Sequence, residues 1–211
     1  MLLRPRQKSF VDRSTTALNN IGNTLSVAPT GAGKTVMFCS IVGNFVAGND
    51  RKAVILAHRD ELTDQNCALF QSIKPSIPTS IFDAKTKAWD GQVTFAMVQT
   101  LSREQNLETM PAIDLLVIDE AHHAVADTYQ RIIDRARELN SDCRIFGVTA
   151  TPSRSDHRGL GRVFSNAADK ITVGELVGSG NLVPPHTFVM DVGVTTDLTS
   201  VKKLGNEFDM E

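Results

Sequence analysis

Ala28-Pro29-Thr30-Gly31-Ala32-Gly33-Lys34-Thr35 decides the reading of this chain. An apolar-leaning run, Thr24-Leu25-Ser26-Val27, leads into it, and a helix-like run, Val36-Met37-Phe38-Cys39-Ser40-Ile41-Val42, follows. Strand, glycine-rich loop, helix is the setting in which this motif holds phosphate. Gly31 and Gly33 let backbone N–H groups converge without a Cβ in the way, at a helix N-terminus whose dipole favours anions. Pro29, Thr30 and Ala32 complete the loop. Lys34 has the reach for the β- and γ-phosphates, and the Thr35 hydroxyl is a ligand for Mg²⁺. The usual pattern opens on Gly; here Ala28, also small, takes that position. The expectation is a site for ATP with Mg²⁺.

Outward from the loop, apolar runs alternate with helical patterns. Strands are expected at Leu25–Ala28, Ala53–Ala57, Thr79–Phe82, Val93–Val98, Leu115–Ile118 and Arg144–Val148. Helices are expected from Asp60 to about Phe70 and over Tyr129–Leu139, where Ile132, Ile133, Ala136 and Leu139 recur at helical spacing. Leu115-Leu116-Val117-Ile118 is continuous and apolar, as a strand covered on both faces requires. The fold class expected is therefore α/β, a parallel sheet with helices on both faces, of the phosphate-loop type. Ligands of such sheets bind at the carboxyl ends of the strands. After about Arg154 the pattern changes: a polar turn, a possible short helix over Thr172–Gly178, the break at Pro184-Pro185 and a strand-like run over His186–Val194.

The run 115–118 ends on Asp119-Glu120. Two carboxylates at a strand end read by themselves as solvated loop residues or a helix cap as readily as chemistry. Beside Lys34 and Thr35 they acquire a mechanism: Asp119 holds Mg²⁺ through water, and Glu120 orients or deprotonates the attacking water. The catalytic set expected is Glu120, Lys34 and Asp119.

With 41% hydrophobic residues among 211, the chain can bury a full core, and its formal charge of −2 carries no global nucleic-acid signature. Cys39, Cys67 and Cys143 are scattered without CxxC spacing and read as reduced structural thiols. No apolar run spans a membrane and the N-terminus has no signal-peptide core, so a soluble, cytoplasmic protein is expected. Zinc is not expected at His122-His123, because adjacent histidines usually diverge. Trp89, in a turn before a strand, is expected to pack at the loop edge rather than to stack a base. Arg154, Arg158 and Arg162 form a basic cluster that reads as a solvated face at least as well as a phosphate contact.

Asp119-Glu120-Ala121-His122 resembles the box of DEAH-type superfamily 2 helicases, and the rest of the chain is similar, in order, to the first RecA-like lobe of that family. Arg4-Pro5-Arg6-Gln7 resembles the adenine-recognition motif, Ala57-His58-Arg59-Asp60-Glu61-Leu62 motif Ia, Val98-Gln99-Thr100-Leu101 motif Ib, and Val148-Thr149-Ala150-Thr151-Pro152 motif III. Gly159–Phe164 and Gly180–Pro185 look like the exit from that lobe in the restriction-subunit and repair-helicase branch. The resemblance covers roughly residues 2 to 190. It implies adenine contacts from Gln7 and Arg4, nucleic-acid contacts from Arg59, Gln99 and Thr100, and coupling to a second lobe through His122, Thr149, Ala150 and Thr151. DNA over RNA follows from that branch alone.

The resemblance also implies a second RecA-like lobe that supplies a transition-state arginine, in the same chain or in trans. Residues 1–190 are read as the first lobe and 191–211 as linker toward it. Such an arginine is worth ~10³–10⁵ in turnover, so these residues by themselves are expected to bind ATP with Mg²⁺ and to hydrolyse it slowly. The activity expected of the whole is ATP-driven movement on, or unwinding of, DNA. The alternatives are a stand-alone ATP-dependent nucleic-acid-binding or regulatory module, or the motor subunit of a restriction enzyme.

Overall fold

The computed structural model describes residues 3–58, 60–152 and 159–184, and the backbone of Lys203–Leu204 and Glu207–Phe208. Its first elements are α1 (Pro5–Ile21), β1 (Thr24–Val27), α2 (Lys34–Val46), β2 (Ala53–Ala57), α3 (Asp60–Ile73), β3 (Thr79–Phe82) and β4 (Val93–Met97). Two single-turn helices follow, α4 (Val98–Leu101) and α5 (Glu104–Leu107). Then come β5 (Leu115–Asp119), α6 (Asp127–Leu139), β6 (Arg144–Thr149), β7 (Asn166–Lys170) and α7 (Val173–Gly178). Strands β1 to β7 form one seven-stranded sheet, in the order β3-β4-β2-β5-β6-β1-β7, and Lys203–Leu204 pairs antiparallel with Glu207–Phe208. Every pairing within the seven-stranded sheet is parallel.

Strand alternation divides the core. Ala53, Ile55, Leu115 and Val117 face a cluster with Phe10 of α1, Phe38 and Ile41 of α2 and Phe70 of α3. Val54, Leu56, Leu116 and Ile118 face the other cluster, with Leu101 of α4 and Tyr129, Ile132 and Ile133 of α6. Successive side chains of a strand point to opposite faces, so the continuous apolar runs are the signature of this two-sided burial. The expected α/β architecture with helices on both faces is the one observed.

The differences are local. The first strand lies one residue earlier, over Thr24–Val27, and Val98 leaves its strand to open α4. The helix starting at Asp60 runs on to Ile73, and α6 starts at Asp127 rather than Tyr129. The short helix near Thr172 starts at Val173, with Thr172 as its cap: the Thr172 hydroxyl accepts from the Glu175 amide at 3.2 Å. Helices α1, α4 and α5 and strand β7 had no sequence expectation. Helix α1 buries only Phe10, Val11, Ser14 and Leu18. One of those four core positions is a serine, whose hydroxyl pairs with that of Ser26 at 2.8 Å. Strand β7, Asn-Ala-Ala-Asp-Lys, has no β-branched or aromatic residue and is a strand because β1 offers it a parallel partner. The strand-like run expected over 186–194 lies outside the described residues.

Register places the site. Val27 pairs with Thr149, and Val148 with Asp119, so the phosphate loop, motif III and the acidic pair leave the sheet side by side. On the other side of β5, Leu56 pairs with Ile118 and Ala57 with Met97. The carboxyl edge therefore reads, in spatial order, Gln99, His58, Glu120, Thr149, phosphate loop.

Candidate nucleotide site

The loop between β1 and α2 is built on two left-handed glycines, Gly31 and Gly33, both at φ 84°. A Cβ on Gly33 would stand 2.6 Å from Gln7 Nε2. That amide donates to the Ala32 carbonyl at 2.9 Å, while Gln7 Oε1 accepts from the Arg4 N–H at 3.0 Å. Gln7 thus ties the start of α1 onto the loop, and only glycine admits that approach. Over Gly31 sits Leu182, 2.9 Å from where a Cβ would be. Pro29 is half-buried, Thr30 exposed, and Thr35 half-buried in the first turn of α2. The Ala28 amide is taken by the Thr149 carbonyl at 3.0 Å, which locks the loop entry to motif III.

Across from the loop, the chain turns sharply after Asp119. Glu120 is the one non-glycine among the described residues at positive φ, 52°. The left-handed region costs an L-residue roughly 1–2 kcal/mol, and such outliers concentrate at functional sites. The conformation brings Glu120 Oε1 to 3.9 Å from Lys34 Nζ and Glu120 Oε2 to 3.3 Å from His122 Nδ1. The same His122 nitrogen lies 3.0 Å from the Thr149 hydroxyl. That hydroxyl accepts from the Thr151 amide at 3.2 Å. Lys34, Glu120, His122, Thr149 and Thr151 are thus one connected set, with half-buried Ala150 at its bend.

Asp119 accepts from the Glu120 amide at 2.9 Å. Burial pushes its carboxyl up to about 6, and the neighbouring Glu120 charge pushes the same way. A desolvated carboxylate facing a lysine and a glycine cradle has the donor chemistry for a hard cation. Among the described residues no three His, Cys, Asp or Glu side chains gather as a metal cage. A divalent ion here would have to draw most of its ligands from phosphate and water, the normal habit of Mg²⁺.

The other predicted residues separate. Gln99 Nε2 lies 3.2 Å from His58 Nδ1, at the end of the edge away from the loop. Thr100 is a correction: it is only 4% exposed and its hydroxyl turns to the Met97 sulfur at 3.7 Å, because the first turn of α4 packs it inward. Arg59, Arg154 and Arg158 lie outside the described residues. Trp89 packs against Phe82 with ring centroids 4.6 Å apart and donates from Nε1 to Thr109 at 3.1 Å. The expectation that adjacent histidines diverge is also corrected: the His122 and His123 rings tilt together, 4.1 Å between centroids, because the tight 3₁₀ turn Ala121–His123 carries both.

Three features had no sequence expectation. His58 and His123 stack across the edge. Tyr129 is buried beside the acidic pair; its own burial, and then the charges of Asp119 and Glu120, raise its phenol. Arg6, beside the predicted Arg4 and Gln7, turns away to Asp169 and Glu175. No local pattern marks these; each is a meeting of distant segments.

Set against known proteins, residues 1–154 match the family described as type III restriction enzyme, res subunit. The chain is 28% identical over 228 residues to "Putative ATP-dependent helicase IRC3" of Saccharomyces cerevisiae, across 99% of this chain and 32% of that protein. It is 29% identical over 181 residues to the ATP-dependent DNA helicase mph1 of Neurospora crassa, across 76% of this chain and 16% of that protein. Among solved structures, the Hef helicase domain of Pyrococcus furiosus shares the fold, with a TM-score of 0.68 at 22% identity, over 80% of this chain and 38% of that one. The chain thus spans about a third of the IRC3 relative's length.

Proposed function

The chain belongs to the family of the type III restriction enzyme res subunit, and from that premise we propose that it is the ATP-binding first lobe of a superfamily 2 DNA translocase or helicase. The observation that carries the reading is the connected set Lys34–Glu120–His122–Thr149, held at the carboxyl edge by the register of β1, β6 and β5.

Lys34 and the backbone amides of Gly31 to Thr35 bind the triphosphate. Gln7, with Arg4 at the start of α1, faces the adenine. Thr35 and Asp119 would hold Mg²⁺, which would supply charge neutralisation for the bound triphosphate. Glu120 orients the attacking water and takes its proton. His122 and Thr149, with Ala150 and Thr151, link Glu120 to a second RecA-like lobe. Gln99 and Arg59 meet the nucleic-acid backbone. Residues 1–190 form the lobe and 191–211 lead toward its partner. DNA rather than RNA is favoured by the DNA helicase relatives, and a cytoplasmic setting accords with the three buried, unpaired thiols. Among the described residues no helix is long and apolar enough to cross a membrane.

The test is ATP binding and turnover of residues 1–211, with and without single-stranded DNA, duplex DNA and RNA, beside Lys34→Ala. Lys34-dependent binding with slow turnover on every polymer is expected. Binding that survives Lys34→Ala would overturn the nucleotide assignment. Fast turnover stimulated by RNA alone would replace DNA by RNA and place the missing catalytic group in a second copy.

A further inference from the structure

His123 joins the two halves of the carboxyl edge. Its ring lies near-parallel to that of His58, with centroids 5.2 Å apart and planes at 17°. It lies near-parallel to Tyr129 as well, at 6.2 Å and 19°, and tilts against His122 at 4.1 Å. Its backbone is bonded to the same region: the His123 amide donates to the Glu120 carbonyl at 2.9 Å, and the His123 carbonyl accepts from Ala126 at 2.9 Å. The 3₁₀ turn carrying Glu120 out of β5 is therefore closed by the backbone of a residue whose ring stacks on the end of β2.

The two sides of that stack differ in exposure. Tyr129 is 1% exposed in the α6 core and gives a fixed wall. His58 is exposed and in contact with Gln99, on the side away from the phosphate loop. A ligand that moves His58 or Gln99 must shift the His123 ring against that wall or lose the stack. Either change acts on the turn, and so on the strained Glu120 backbone and the Glu120–His122 contact. The His123 ring stands between exposed His58 and buried Tyr129, so displacement from the His58 side meets the close-packed core on the other.

We propose that His123 is a positioning residue that transmits nucleic-acid engagement at His58 and Gln99 to the water-activating Glu120. The proposal rests on the functional reading above. It concerns the orientation of Glu120, to whose carbonyl the His123 amide is bonded, and not affinity for nucleotide.

The experiment uses the full-length protein and compares wild type, His58→Ala, His123→Ala, His123→Phe and His58→Ala/His123→Ala, with Lys34→Ala as background. Steady-state ATP turnover is measured with and without single-stranded DNA, duplex DNA and RNA. For His123→Ala the stimulated kcat is expected to fall about tenfold while KM for ATP stays within about twofold. His123→Phe keeps a flat ring and should restore most of the stimulation. Adding His58→Ala should cost nothing further, the mark of two residues acting as one unit. Loss of kcat together with a matching rise in KM, failure of Phe to rescue, or full additivity with His58→Ala would each overturn the relay. A stimulated wild type beside an equally stimulated His123→Ala removes the relay and leaves the function standing. A wild type unmoved by any of the polymers removes the functional reading and the relay with it.

Discussion

Glu120 concentrates the local costs of this site. Its left-handed backbone, its contact with Lys34 and its contact with His122 all serve one carboxylate position. If that carboxylate takes the proton of the attacking water, Glu120→Gln should lower turnover about 10²–10⁴-fold with ATP affinity retained, read from single-turnover kinetics beside equilibrium binding. Asp119 makes a different prediction, through pH. Its folded-state value, about 6, stands above its ordinary 3.8 because burial disfavours the charged form. The folded, nucleotide-free chain therefore holds a proton that the unfolded chain releases. The stability this contributes is complete below 3.8 and is lost as pH rises through about 6. Denaturation midpoints of the nucleotide-free protein across that window should drop more steeply for wild type than for Asp119→Asn; parallel curves would refute the assignment.

At the scale of elements, α1 is held by charge as well as by its narrow apolar stripe. Arg6 grips Asp169 at the end of β7 with two nitrogens, at 2.5 and 3.0 Å, and reaches Glu175 of α7 at 3.4 Å. Asp169 is nearly buried, at 5% side-chain exposure. Burial would raise its carboxyl, but the Arg6 guanidinium outweighs this and holds it below the ordinary range. Stability from this pair is present above the ordinary carboxylate value and is lost as pH falls through the lowered one. Arg6→Ala should cost about 1.5–3 kcal/mol, the range for hydrogen bonds to charged groups, measured by urea unfolding. Because Gln7 sits one residue on and rests on the phosphate loop, the same change should also weaken ATP binding. Destabilisation with unaltered ATP affinity would show that α1 need not be pinned for Gln7 to work. Neither α1 nor β7 was legible beforehand. Ser14 interrupts the apolar period of α1, and the residues of β7 carry no strand preference; each is specified by the surface it docks on.

At the scale of the molecule, a single sheet edge orders all the motifs, from Gln99 through His58, Glu120 and Thr149 to the loop. The open side of that edge is where a second lobe would complete the site. Supplying that lobe, in the same chain or in trans, should raise turnover of residues 1–211 by ~10³–10⁵ if it brings an arginine to the γ-phosphate. Turnover unaffected by the added lobe, measured under saturating ATP and DNA, would show the first lobe already complete.

The α/β class, the two-sided sheet and the phosphate loop with its acidic partners were legible because they are written in contiguous residues. A four-residue apolar run needs cover on both faces, two glycines before Lys-Thr can turn only one way, and a carboxylate pair after a buried strand is exposed at its end. What only the tertiary structure decided is where side chains turn and which segments meet: Thr100 turned inward, Arg6 paired with Asp169, and His58 and His123 brought face to face. Those relations depend on parallel register and on the angle at which each helix settles on the sheet. Such quantities are fixed by packing the whole core at once, and no local run of residues encodes them.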